Sequence, residues 1–246
     1  MTKRFIMVDG LDGSGKGTAV AGLKEWAEKK GLKVLDLKEF CEEHSYIPEF
    51  EEVKDYDAIV STEPTYAYVG KAIREELIRE NTRKYSGISI MHAFALDREI
   101  LYQRLILPAL KNDKFVFQER GVVSSIVYQP AQENIMLSEL LRMPGNKLAL
   151  EHAPGLLIIT RVEPEVVLGR LEKRAKKDNS IFDNLTFQRK IHDRYHSDWL
   201  RLLFEGHNSC VVYLDTNPPK TPEDTKQDAA QIFENYLAAR KLGLKA

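Results

Sequence analysis

Gly10-Leu11-Asp12-Gly13-Ser14-Gly15-Lys16-Gly17-Thr18 is the stretch that decides the reading of this chain. Small residues let backbone N–H groups approach and surround phosphate oxygens, and a lysine neutralises their charge. The N-terminus of a following helix adds a favourable dipole. The flanks supply the context such a loop needs. Phe5-Ile6-Met7-Val8 is a short apolar run closed by Asp9-Gly10, the pattern of a buried strand. Ala19 to Lys30 carries Val20, Leu23, Trp26 and Ala27 at helical spacing, and Gly31 is placed to end that helix. Leu32 to Leu37 reads as a second strand, so the unit is strand, loop, helix, strand, which implies a parallel sheet.

The same alternation continues outward. Ala58-Ile59-Val60, Phe115-Val116-Phe117, Leu156 to Ile159 and Val211 to Leu214 are further strand-like runs. Amphipathic stretches separate them, such as Val69 to Ile78, Ser89 to Leu110 and Gln227 to Ala239. This predicts an α/β fold, a parallel sheet with helices on both faces. No Ser/Gly linker, internal repeat or low-complexity segment interrupts it, so one domain over residues 1–246 is expected.

Composition narrows the class. Lys and Arg number 36 against 37 Asp and Glu, a net charge of −1, which argues against a polynucleotide partner. No apolar run reaches membrane-spanning length, and the N-terminus lacks the long apolar core of a signal peptide. The two cysteines, Cys41 and Cys210, lie far apart and without histidines at metal spacing. A reduced, cytoplasmic protein with no membrane contact is the expectation. The charges are nonetheless segregated: residues 38–57 are acidic and residues 169–178 basic. The acidic stretch is expected to be a solvated surface element.

The loop departs from the strict pattern at one place. Ser or Thr normally follows the lysine to bind Mg²⁺, and here Gly17 intervenes before Thr18. A Gly-Lys-Gly-Thr ending resembles that of nucleoside monophosphate kinases such as adenylate kinase, and suggests a metal held through water. Beyond the loop the chain resembles the thymidylate kinase family over nearly its whole length. Phe5 to Thr18 is similar to the family's opening strand and loop. Thr62-Glu63-Pro64-Thr65, Gly70 to Arg74 and Phe94-Ala95-Leu96-Asp97-Arg98 follow in family order. Glu119-Arg120 stands where the family has Asp-Arg, and Ser124 to Gln129 and Glu163-Pro164-Glu165 come next, before a basic lid at about 169–182.

The resemblance implies an ATP-dependent phosphorylation of dTMP, with Mg²⁺ as cofactor and a homodimeric enzyme. It implies ATP on Gly10, Asp12, Gly13, Ser14, Gly15, Lys16, Gly17 and Thr18. Phe94 would stack on thymine and Arg98 would donate to its O4 edge. Asp12 would receive the sugar 3′-OH, and Arg74 and Arg120 would hold the acceptor phosphate. Tyr128 would crowd the 2′ position, while Ser125, Gln129, Glu63 and Pro64 would complete the dTMP site. Thr18 and Glu119 would serve the metal through water. Gly13 is not arginine, so Arg170 and Arg174 of the lid, spaced i,i+4, would carry charge to the transferred group. Lys16, Arg120, Arg170, Arg174 and Glu119 are thus the catalytic candidates.

Blander readings stay open. An aromatic such as Phe94 on an amphipathic helix is usually core, Glu63-Pro64 also suits the end of a strand, and a basic run is usually a solvated face. Glu119-Arg120 followed by small residues also resembles deoxynucleoside kinases, whose acceptor is a nucleoside 5′-OH. A kinase for another deoxynucleoside monophosphate, or a loop protein that binds nucleotide without transferring phosphate, are the remaining alternatives.

Overall fold

β1, Phe5–Gly10, is buried at every residue because it has a strand on each side and helices above and below. A computed structural model of the chain describes residues 2–79, 81–132, 135–172 and 185–242. The sheet adds β2 (Val34–Asp36), β3 (Ala58–Thr62), β4 (Phe115–Glu119), β5 (Leu156–Arg161) and β6 (Cys210–Asp215). Its order is β2-β3-β4-β1-β5-β6, and every pairing is parallel. The carboxyl ends of β1, β3, β4 and β5 therefore open on one edge, where parallel α/β sheets bind ligands.

Alternation along β1 divides the interior in two. Phe5 and Met7 face a core with Leu101, Tyr102, Val123 and Tyr195. Ile6 and Val8 face the other, with Val20, Leu23, Trp26 and Phe233. The first core is covered by α4 (Gly87–Leu101), α6 (Val122–Gln132) and α10 (Leu185–Tyr195). The second is covered by α1 (Lys16–Lys29) and α12 (Pro222–Arg240), which touch closely enough that a Cβ on Gly22 would meet the Lys226 backbone at 2.5 Å. Helices thus cover both faces, as expected from the apolar runs.

Gly31 ends α1 as anticipated: its φ is +78°, and Leu32 N–H returns to Ala27 O at 3.1 Å. The helix expected over 89–110 runs from α4 through a π-helical turn, Tyr102–Ile106, into α5, Leu107–Lys111. That turn stands just before Pro108, whose missing N–H removes a bond of the regular ladder. The stretch expected over 69–78 is α3, Tyr68–Ala72, continued by a π-helical turn, Ile73–Leu77.

Two expectations need correction. The second strand stops at Asp36, whose carboxylate accepts the N–H groups of Lys38 and Glu39 and so starts α2, Leu37–His44. The acidic segment 38–57 is not merely solvated. Its carboxylates are mostly exposed, but Cys41, Ile47, Phe50 and Val53 are buried in the first core. Charge dominates its composition, whereas four spaced apolar residues decide its packing. Among the described residues, no helix is long and apolar enough to cross a membrane.

Candidate active site

The phosphate loop turns between β1 and α1 on glycines at positive φ, +77° at Gly13 and +89° at Gly15, where side chains are strained. α1 begins at Lys16 with no side chain capping its first turn, so its leading N–H groups are available to an anion. Ser14 and Thr160 share a hydroxyl–hydroxyl bond of 2.5 Å, and Thr216 Oγ1 donates to Ser14 O at 2.9 Å. These contacts tie the loop to β5 and to the segment after β6. Lys16 is buried and folded onto the loop itself, donating to Leu11 O at 2.6 Å and Gly10 O at 3.1 Å. A polar cleft of about 190 Å³ opens beside it, lined by Asp12, Gly13, Gly15, Lys16, Gly17, Thr18, Glu119 and Arg120.

Arg120 follows β4 with φ +63°, an uncommon conformation for a residue with a side chain, and one that functional sites often retain. Its guanidinium pairs with Asp12. Its carbonyl accepts the Gln118 amide at 2.9 Å, and the same amide nitrogen donates to Glu63 Oε1 at 2.9 Å. Gln118 thereby links the residue after β4 to the residue after β3.

Glu63 leads into a buried network. Arg98 reaches Glu63 Oε2 at 2.8 Å from Nε and 2.6 Å from Nη2, Ser125 Oγ at 3.1 Å, and Asn146 Oδ1. Burial pushes the Glu63 carboxyl up to about 7, against the pull of the Arg98 charge. Asp97, beside Arg98, accepts both the N–H and the hydroxyl of Thr65, at 2.8 and 2.6 Å, and so pins the Glu63-Pro64-Thr65 turn to α4. Burial raises the Asp97 carboxyl as well. The Glu63–Pro64 peptide is cis.

The other expected residues lie on α4, on the turn after β3, on the π-helical turn Ile73–Leu77 and on α6. Phe94 lies half-buried one turn before Arg98 on α4. Arg74 donates to Pro64 O and Thr65 O, and its guanidinium sits 4.0 Å from the centre of the Tyr66 ring. Tyr128 is buried, accepts the Asp12 N–H at 3.3 Å, and has its hydroxyl pushed up to about 12 by burial. Gln129 is buried beyond it, and its Oε1 has no hydrogen-bond partner among the described residues. Thymine contact by Arg98 requires an adjustment of the expectation. In this structure Arg98 is 1% exposed, and Nε, Nη1 and Nη2 are all engaged by protein atoms. A guanidinium has five N–H donors, so a base must share it with Glu63, Ser125 and Asn146.

On the opposite side, Arg170 extends from α9 (Pro164–Glu172) to Gly13 O at 3.3 Å and Thr216 O at 2.5 Å. Arg174, together with positions 173–182 of the expected lid, lies outside the described residues.

Three buried residues of the site carry no motif. Asp9 is fully buried and accepts Tyr195 Oη at 2.8 Å and the Ser124 N–H at 3.0 Å, fixing the start of α6 beside the loop. Gln118 continues an apolar strand, where a lone polar residue was the available signal. Asn146, on α8 (Pro144–Glu151), gave none; its amide donates to Leu140 O at 2.8 Å and presents Oδ1 to Arg98.

Comparison with known proteins agrees with this geometry. A family model described as thymidylate kinase matches residues 48–225, a span that begins after the phosphate loop. A probable thymidylate kinase of Archaeoglobus fulgidus is 29% identical over 237 residues, 96% of this chain and 98% of that protein. A thymidylate kinase of Caldicellulosiruptor saccharolyticus is 28% identical over 241 residues, 98% of this chain and 100% of that one. A crystal structure of thymidylate kinase from Ehrlichia chaffeensis superposes with a TM-score of 0.61 at 19% identity, covering 94% of this chain and 97% of that one. At that identity the superposition bears on the fold alone.

Proposed function

The chain belongs to the thymidylate kinase family and phosphorylates dTMP with ATP, and on that premise we propose how its residues divide the work. The reaction joins a dTMP phosphate oxygen to the γ-phosphorus of ATP and breaks the bond from that phosphorus to the β,γ-bridging oxygen, releasing ADP. Little covalent chemistry falls to the protein, which must position two polyanions and neutralise charge on the transferred group. The observation that supports the assignment best is the set of cations around the cleft, each held on an oxygen of the protein. Lys16 rests on loop carbonyls, Arg120 on Asp12, and Arg170 on Gly13 O.

In our reading the triphosphate takes these oxygens' place at Lys16, and the first turn of α1 binds it through backbone N–H groups. Arg120 exchanges Asp12 for the acceptor phosphate, which frees Asp12 for the sugar 3′-OH. Arg74 assists from the Pro64 turn, and Arg170 and Arg174 serve the transferred group from the lid. Phe94 stacks on thymine, Arg98 meets its O4 edge while still held by Glu63, and Tyr128 crowds the 2′ position. Ser125, Gln129 and Pro64 line the rest of the pocket.

The residues present fit Mg²⁺. Thr18 and Glu119 offer oxygen, the donor this hard cation prefers, and Glu119 lies against the bare backbone of Gly17. Among the described residues no group of three or more His, Cys, Asp or Glu forms a protein cage. Mg²⁺ ordinarily keeps several waters and binds through one or two carboxylates plus substrate phosphates. When bound there it supplies charge neutralisation at the β- and γ-phosphate oxygens.

We also read the chain as a reduced, cytoplasmic homodimer, on its nucleotide substrates, its two free cysteines and the exposed Leu96 of α4, which lines one surface depression with the exposed Tyr68. Sedimentation at micromolar concentration separates this from a monomer. The deciding experiment for the acceptor is a screen with ATP and Mg²⁺ against dTMP, dUMP, thymidine and deoxycytidine. ADP should form with dTMP and not with thymidine. Turnover with thymidine but not dTMP would reverse the assignment of Arg74 and Arg120.

A further inference from the structure

A hydroxyl on the residue directly after the lysine is what the strict phosphate loop turns toward Mg²⁺. Here that residue is Gly17, and Thr18 stands one position on, about 100° around the helix. Glu119 ends β4 opposite this first turn of α1. A Cβ built on Gly17 would stand 3.3 Å from Glu119 Oε2, and 3.8 Å from its Cδ and Oε1. A Cβ at position 17 would therefore crowd the Glu119 carboxylate, which would have to give by a few tenths of an ångström, and a longer side chain on the same side would crowd it further. The carboxylate interacts electrostatically with the Arg74 guanidinium, and it lines the polar cleft together with Lys16, Gly17 and Thr18. An aspartate at 119 would draw the carboxylate back by about one carbon–carbon bond, roughly 1.5 Å.

We propose that Gly17 and Glu119 work as a matched pair, in which the missing side chain at 17 admits the Glu119 carboxylate as the metal-directed oxygen that the loop hydroxyl would otherwise provide. A neutral oxygen beside the metal is thereby replaced by an anionic one from the neighbouring strand, acting directly or through a bound water. The two departures, glycine after the lysine and glutamate before Arg120, become one arrangement rather than two unrelated losses. The proposal rests on the loop being the triphosphate site, and it concerns positioning of the metal, not transfer itself.

The test is a double-mutant cycle read without turnover. ADP affinity is measured by calorimetry in Mg²⁺ and in EDTA for the wild type, Gly17→Ser, Glu119→Asp, the double variant and Glu119→Gln. Mn²⁺ binding to each ADP complex is followed by electron paramagnetic resonance. Glu119→Gln, nearly isosteric, should cut the gain in affinity due to metal by about tenfold, the scale seen for metal-orienting groups. Gly17→Ser should also cut it by displacing the carboxylate, and Glu119→Asp by withdrawing it. Gly17→Ser with Glu119→Asp should recover most of the loss, because the shorter acid makes room for the serine hydroxyl. Simple addition of the two single losses, or an undiminished metal effect in Glu119→Gln, would overturn the pairing. A wild type whose ADP affinity ignores Mg²⁺ would overturn the loop assignment as well, so the two failures are distinguishable.

Discussion

Glu63 is enclosed on all sides, yet it is one of the residues on which the site depends. Its carboxyl is raised from 4.5 to about 7 by burial, so between those two values the folded protein holds a proton that the unfolded chain has released. The sign follows from linkage. The contribution is fully present below pH 4.5, declines as pH rises, and is lost above about 7. Glu63→Gln fixes the neutral form. Urea unfolding across this window should show the wild type losing stability relative to Glu63→Gln, by at most about 1.4 kcal/mol per pH unit. A constant difference would mean that Arg98 keeps the carboxylate charged throughout. At this scale the sequence was most informative where backbone conformation demands a residue type, as at Gly13 and Gly15. It was silent on partners: Arg98 was legible as a helix residue one turn from Phe94, but Glu63, Ser125 and Asn146 reach it from three other elements.

Helix contact decides how that network is held. α8 meets α4 so closely that a Cβ on Gly145 would lie 1.9 Å from Ala95 O, and this approach brings the neighbouring Asn146 to Arg98. Gly145→Ala sets two effects against each other. Alanine gains roughly 0.5–1 kcal/mol of helix propensity, and the clash falls on a backbone carbonyl that cannot swing aside. Overpacking of this kind costs about 1–3 kcal/mol, so the variant should be destabilised in urea. Because α4 carries Phe94 and Arg98, proposed above to hold the base, KM for dTMP should rise more than KM for ATP; an equal rise would disconnect α8 from that proposed pocket. The acidic segment shows the same dependence on packing. Residues 38–57 advertise their carboxylates, whereas Cys41, Ile47, Phe50 and Val53 follow no simple period because a helix, an irregular turn and a short 3₁₀ turn, Phe50–Glu52, succeed one another. Periodicity cannot be read across such changes of geometry.

The whole molecule joins two apolar cores through one sheet, since consecutive residues of β1 and β4 serve opposite faces. We therefore expect one domain and one cooperative unfolding transition. Tryptophan fluorescence, which reports on Trp26 in the second core and the more exposed Trp199, should change together with far-ultraviolet circular dichroism in urea. Two separate midpoints would divide the chain into independently stable units. The near-neutral net charge of −1 also takes meaning only at this scale. Within the cleft Lys16 and Arg120 face Asp12 and Glu119, and the exposed acids of 38–57 lie on other elements of the surface.

The parallel α/β class, the phosphate loop with its lysine, and the family resemblance follow from amino-acid order alone, because glycine conformation, apolar periodicity and motif order are properties of neighbouring residues. Tertiary structure decided what those residues touch. It brought Glu119 over Gly17, set Glu63 and Asn146 on Arg98, placed Arg120 on Asp12, and folded the acidic segment into the core. Each of these is a contact between residues tens of positions apart, and it exists only once β1, β3 and β4 lie side by side with α4 and α8 packed against one another. No local pattern encodes that distance, so the chemistry of the site was legible in its parts and not in its connections.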